Sequence, residues 1–365
     1  HTREPGPGCF VLSASPDCNG FELESPGQSS HWQPVQDEPV VIGDLEPGAG
    51  PWTVETPWVR VKIAEVPRPS WAIEWGCDAK GLYALAPSPF GGVERLDWER
   101  PEPGGEASWP PASRGFSTSG VPVGNGCWLG ADLQYGLYLD APFGNATQRF
   151  RWIEPGEFVM GSPGGEPGRY DDEGPQHAVR LREGFWLAET ACSQAVWEAV
   201  MGSNPARFLA NPQNPIENVS WNDVQSFLRA VEKLVPGVWA VLPSEAEWEY
   251  ACRAGSEEVF SWGSDITQVR ANYNATERYV RGSIGEWQRQ TLPVQSFSPN
   301  AWGLFQMHGN VWEWCADGKR AYDRVTQVSP QGPGRGDIHR VVRGGSWKSS
   351  PAQLRSACRS HRLQS

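Results

Sequence analysis

Glycine and proline most constrain how this chain can fold. Its 365 residues include 41 Gly and 33 Pro, spread along the whole length. Both types interrupt helices and mark turns. The expected architecture therefore has few long helices, many short strands and much loop. Hydrophobic residues make up 39% and charged residues 20%, enough apolar content for a packed core and too little charge for wholesale disorder. The length suits one large domain or two ordinary ones. The 20 Trp residues need pockets, stacking partners or exposed recognition surfaces.

A net charge of −12 disfavours nucleic acid as a partner, because phosphate binding wants a basic face. No apolar run approaches the roughly 20 residues of a membrane span. No secretory leader is legible, and a start at His1 suggests a trimmed or tagged chain that can hide one. A soluble protein is expected. Lysine occurs only at Lys62, Lys80, Lys233, Lys319 and Lys348, so most basic charge is Arg, which points to a GC-rich genome and to thermostability. The eight cysteines (Cys9, Cys18, Cys77, Cys127, Cys192, Cys252, Cys315 and Cys358) contain no C-x-x-C pair, which argues against zinc ribbons and redox dithiols. Cys9 with Cys18, or Cys77 with Cys127, can pair in an oxidising compartment; buried free thiols are the other reading.

Residues 1–148 read as a Trp-, Pro- and Gly-rich β accessory region, with the first 50 loop-rich. A duplicated hairpin unit spans about 75–98 and 129–152. Gly81-Leu82-Tyr83 followed by Pro89-Phe90-Gly91 matches Gly136-Leu137-Tyr138 followed by Pro142-Phe143-Gly144. From 149 to 365 the pattern changes to a second domain. Strands are expected at 149–153, 158–162, 179–181 and 185–187. Helices are expected at 194–201, at 224–234 behind a Ser220/Asp223 cap, and from the Ser244/Glu247 cap to Arg253. Short mixed elements with much coil indicate an α+β domain around a small twisted sheet.

Six motifs in this region occur in a fixed order. They are Phe158-Val159-Met160-Gly161-Ser162, Trp197-Glu198-Ala199-Val200-Met201-Gly202, Val219-Ser220-Trp221-Asn222-Asp223, Leu242-Pro243-Ser244-Glu245-Ala246-Glu247-Trp248-Glu249, Gly303-Leu304-Phe305-Gln306-Met307-His308-Gly309-Asn310-Val311-Trp312-Glu313-Trp314, and Arg343-Gly344-Gly345-Ser346-Trp347. Together they resemble the formylglycine-generating-enzyme (sulfatase-modifying-factor) family, which implies a C-type-lectin-like fold. Active members hold copper on two cysteines just after Gly-Gly-Ser. Here those positions carry residues such as Ser349 and Leu354, and Cys358 stands alone beyond them. A soft copper(I) site needs thiolates, so copper chemistry is not expected and the chain reads as non-catalytic, with no cofactor required. An iron-dependent branch uses a His triad, and the six His residues here form no such cluster.

Calcium is the metal the resemblance implies, on hard oxygen ligands. One site would use Asn272, Tyr273, Glu286 and Gln288, and a second Gln306, Asn310 and Glu313. The C terminus also resembles the variable proteins of diversity-generating retroelements, bacterial or phage-borne, in which adenines of a terminal repeat are randomised. That resemblance implies a variable segment over about 318–365. Lys348, Ser349, Ser350, Cys358, Ser360, His361 and Leu363 would be its ligand-binding positions, and Trp312, Arg343, Ser346, Trp347, Arg355 and Arg359 its framework. The Gly-Phe-Arg strand that closes relatives is not reached by Ser365. The implied ligand is a protein or glycan on another cell or particle, with display at a cell surface or on a phage. The alternatives are a copper-dependent oxidase of the formylglycine-generating type and a fixed-ligand relative of it.

Other clusters have plainer readings. Glu245, Glu247 and Glu249 read as a helix cap with solvated acids. His177, after an acidic loop, reads as exposed, and His308 as a turn residue. Trp312, Trp314 and Trp347 serve either a pocket or the core.

Overall fold

The computed structural model of the chain describes residues 121–132, 134–333 and 339–365, and the backbone of nine short strands before them. It divides into two compact units, residues 1–124 with 128–137, and residues 125–127 with 138–365. In the first unit, strands Glu74–Asp78, Gly81–Pro87 and Val93–Asp97 form an antiparallel meander that carries the first copy of the sequence repeat. Cys9 and Cys18 lie outside the described residues. Cys127 is a free, buried thiol, and the side chain of Cys77 lies outside the described residues.

In the second unit, β1 (Gly136–Phe143) and β2 (Ala146–Ile153) form a hairpin turning at Gly144, in register from Phe143↔Ala146 to Tyr138↔Arg151. The division between units thus falls inside β1. Leu137, Leu139, Ala141 and Phe143 alternate inward along β1, the period-2 pattern of a half-buried strand. β3 (Gly156–Met160) pairs antiparallel with β4 (His177–Leu181), and β5 (Phe185–Ala188) pairs with β2.

Three helices follow. The Ser193 side chain caps α1 (Gln194–Met201), which stops at Gly202 in the left-handed region (φ 71°). Capping boxes open α2 (Trp221–Leu234) through Ser220 and Asp223, and α3 (Glu245–Arg253) through Ser244 and Glu247. α2 begins three residues before the expected start because residue 221 is already helical once Ser220 caps.

A second sheet then forms from β6 (Glu313–Gly318), β8 (His339–Arg343) and β9 (Arg359–Leu363), all antiparallel, while β7 (Gln327–Val328) lies parallel to β4. The core gathers around α3. Trp248, Ala251 and Cys252 pack with Ile153, Met160, Val179, Leu304, Met307 and Val341.

Two expectations fail here. Glu245 and Glu249 are not solvated; both are fully buried. His177 is buried as well, with its ring 4.8 Å from that of Tyr322.

Candidate functional site

β8 is followed by Gly344 and Gly345, at φ 88° and 80°. A Cβ on Gly345 would meet Leu354 Cδ1 at 2.8 Å and the Gln353 carbonyl at 3.0 Å, so only glycine fits this turn. The chain then closes on itself. The Ser346 amide donates to Ser349 Oγ at 3.1 Å, and the two hydroxyls lie 3.2 Å apart. A short 3-10 turn (Pro351–Leu354) follows, with the Ser350 amide donating to Gln353 Oε1. Two long-range bonds hold the segment from outside: Asn274 N–H to the Ser349 carbonyl, and Ser356 N–H to the Val259 carbonyl.

Three arginines fix what remains. Arg343 is fully buried, pairs with Glu249 and donates to the carbonyls of Ser356, Ala357 and Cys358. Arg355, also fully buried, bonds Glu173, Glu166 and the Gly168 and Ala352 carbonyls. Arg359 grips Glu245 with two bonds of 2.8 and 2.6 Å and reaches the Asp172 and Arg320 carbonyls. Burial alone would raise the Glu249 carboxyl; Arg253 and Arg343 outweigh it and hold the group below its usual range. Buried charges need such partners and hydrogen bonds to be tolerated. The partners here come from α3 and from the loop after β3. The acids of α3 are therefore the anchors of the C-terminal segment.

The positions expected to contact ligand divide into two groups. Lys348 and Leu363 are exposed, and Ser350, Ser360 and His361 are partly exposed. Ser349 and Cys358 are buried and cannot present side chains to a partner. Ser349 is held by its bond to Ser346. The Cys358 amide donates to the Arg355 carbonyl and its own carbonyl accepts from Arg343, and burial pushes its thiol up to about 12. His361 and Leu363 line an open cleft of about 550 Å³ together with His339, Arg362 and Trp314. Arg362 lies 6.0 Å from the half-buried Trp312 ring.

The Trp347 amide donates to the Asn310 carbonyl, and its own carbonyl accepts from the Trp287 indole N–H at 2.8 Å. The two indoles stack 5.9 Å apart, and the Phe208 ring meets Trp347 edge-on at 5.4 Å. Sequence reasoning missed Phe208 and Trp287. The Arg207-Phe208 and Trp287-Gln288-Arg289 pairings were the available signal.

The expected metal sets fare differently. Residues 346–357 contain no cysteine, and among the described residues no group of three or more His, Cys, Asp or Glu could hold a metal ion. The second calcium set does not assemble either. Both side-chain atoms of Asn310 bond within the protein, to Asn272, Leu292 and Gln306, while the Glu313 carboxylate turns to the Trp248 indole at 2.7 Å. In the first set, Asn272 is buried with its Oδ1 unpartnered, the mark of a missing oxygen-seeking partner. Tyr273 is buried, and Glu286 and Gln288 are exposed. Asn272 thus keeps one buried oxygen free for a hard cation, whereas Asn310 and Glu313 spend theirs within the protein.

His308 lies under the segment. Nδ1 sits 2.7 Å from the Leu354 carbonyl, and Nε2 accepts from the Ser261 amide at 3.2 Å. The proton must therefore reside on Nδ1 of a neutral ring. Burial holds its pKa down, to about 4.

A sequence profile described as the Sulfatase-modifying factor enzyme 1-like domain matches residues 141–364, more than half of the chain. The chain belongs to this family. It is similar to the formylglycine-generating enzyme of Streptomyces coelicolor, 32% identical over 53% of this chain and 76% of that protein. It is 35% identical to the Thermomonospora curvata enzyme of the same name, over 45% of this chain and 53% of that one. It also matches the inactive C-alpha-formylglycine-generating enzyme 2 of Bos taurus, 34% identical over 36% of this chain and 38% of that protein. Except for the Streptomyces enzyme, these proteins are spanned for about half their length or less. Among solved structures, Treponema denticola variable protein 1 superposes with a TM-score of 0.52 at 23% identity, covering 62% of this chain and 93% of that one. PvdO of Pseudomonas aeruginosa superposes with a TM-score of 0.54 at 28% identity, over 62% and 92%. The fold is thus α+β and C-type-lectin-like, of the formylglycine-generating-enzyme kind, with a β-rich region before it.

Proposed function

We propose that the chain is a non-catalytic ligand-binding protein of the variable-protein type, displaying diversified side chains from a rigid C-terminal segment. The observation that carries this reading is the buried set of Arg343, Arg355 and Arg359 against Glu249, Glu173 and Glu245. These pairs bond the segment's own carbonyls and leave Lys348, Ser350, Ser360, His361 and Leu363 at the surface. A backbone fixed this way loses little entropy on binding whichever side chains it bears. The fold shared with the Treponema variable protein and the similarity to an inactive bovine relative support it. The ligand would be a protein or glycan on another cell or particle, with the chain displayed at a cell surface or on a phage. Among the described residues, no helix is long and apolar enough to cross a membrane. No redox metal is required; a calcium ion at Asn272 would be structural.

The second reading, a copper-dependent oxidase of the formylglycine-generating type, draws on the enzymes among the relatives. Copper(I) titration against a chromophoric chelator, with oxygen uptake in the presence of a cysteine peptide, separates the two. The binding reading predicts no tight copper(I) and no oxygen consumed. Stoichiometric copper with peptide oxidation would overturn it.

A further inference from the structure

The chain carries a net charge of −12, yet the guanidiniums of Arg207 and Arg289 both lie over rings of one aromatic cluster. Arg289 lies 5.0 Å from the Trp287 ring, Trp287 stacks on Trp347, Phe208 meets Trp347 edge-on, and Arg207 lies 5.3 Å from the Phe208 ring. Lys348 follows Trp347 in the chain. Arg207, Arg289 and Lys348 are all exposed, and among the described residues none forms an ion pair. Arg289 adopts φ 57°, a left-handed backbone that a non-glycine residue seldom takes without a reason. The cluster is locked from behind by the Trp287 indole bond to the Trp347 carbonyl and by the Glu217 carboxylate, which accepts from the backbone amides of both Arg207 and Phe208 and, among the described residues, leaves the Arg207 guanidinium without an ion pair.

We propose that this ladder of Arg207, Phe208, Trp347, Trp287 and Arg289, with Lys348, is a binding site for an acidic polysaccharide bearing carboxylates. The guanidiniums are planar donors held in place by the rings they cover, an arrangement suited to carboxylate oxygens. The aromatic edges between them offer apolar contact to sugar C–H groups. Peptides that add a strand or a helix need a sheet edge or a groove, which the loops carrying these residues, at 202–220, 286–290 and 344–350, do not offer; an extended acidic peptide is the competitor that polyglutamate represents in the test below. The proposal rests on the ligand-binding reading of this face. Two of its three cations, however, lie outside the variable segment and do not depend on diversification.

The test is binding of the full chain to polygalacturonate, with neutral dextran and polyglutamate as comparisons, at low and high salt. The expected result is binding to polygalacturonate alone that weakens with salt. It should fall about tenfold in an Arg207→Ser/Arg289→Ser variant, whose unchanged thermal midpoint confirms folding. Absence of polygalacturonate binding, insensitivity to the double substitution, or preference for polyglutamate would each overturn the assignment. An invariant codon for Lys348 would instead count against diversification and leave this site standing.

Discussion

Arg355 and Glu173, 182 residues apart in the chain, form a two-bond pair at 2.7 and 2.5 Å with both side chains fully buried. The pair joins the end of the 3-10 turn to the loop after β3. Removing one partner leaves the other charged and dry. Arg355→Met is expected to cost about 3–5 kcal/mol in urea unfolding, whereas Arg355→Met with Glu173→Leu should recover much of the loss. A single substitution costing under about 1 kcal/mol would show that the pair does not anchor the segment.

His308 and Glu313 make opposite demands on pH. Burial lowers His308 from 6.5 to about 4, so its contribution to stability falls as pH drops from 6.5 to 4. Burial, opposed in part by the Trp248 bond, raises Glu313 from 4.5 to about 7; the native state then holds a proton that the unfolded chain has lost, and stability falls as pH rises from 4.5 to 7. Between these values the two largely cancel. Glu313→Gln should make stability climb with pH across this window and His308→Asn should make it decline, each by at most about 1.4 kcal/mol per pH unit. Urea titrations from pH 4 to 8 read both slopes, and parallel profiles for the two variants would refute the assignment.

Calcium is expected to raise the unfolding midpoint through Asn272, by up to about 2–3 kcal/mol at a hundredfold excess over Kd. Asn272→Leu should abolish the calcium-dependent difference, while Glu313→Gln should keep it. Thermal scans with calcium and with a chelator decide this, and a calcium effect unchanged in Asn272→Leu would move the ion elsewhere.

Replacing Lys348, Ser350, Ser360, His361 and Leu363 together by alanine is expected to shift stability by about 1 kcal/mol or less, because these side chains are exposed or partly so. Replacing buried Ser349 and Cys358 by leucine should cost about 1–3 kcal/mol through overpacking. Equal losses from the two sets would mean that the segment is not a display surface on a fixed frame.

The helices were legible in the sequence because Ser220, Asp223, Ser244 and Glu247 write their caps within four residues. The short strand β4 was legible from its alternation, and β5 from a compact apolar run. The roles of Glu245 and Glu249 were not. Their partners Arg359 and Arg343 lie 114 and 94 residues away, and nothing local distinguishes a buried acid from a solvated one. The same holds for His177, whose burial depends on Tyr322. At the candidate site, the framework arginines could be named from the motif. The burial of Ser349 and Cys358 is set by a closed turn and by neighbouring arginines. The aromatic ladder joins three loops that no periodicity connects. Asn310 and Glu313, three residues apart in the chain, point to different partners because the chain passes from a loop into β6 between them.

The most direct test of a diversified binding surface is deep sequencing of the codons for residues 340–365 across a population of the source organism, with the flanking DNA. Substitutions concentrated at Lys348, Ser350, Ser360, His361 and Leu363 are predicted, with Arg343, Arg355 and Arg359 unchanged and an adenine-bearing near-copy beside a reverse transcriptase. An invariant segment with no such repeat would contradict diversification.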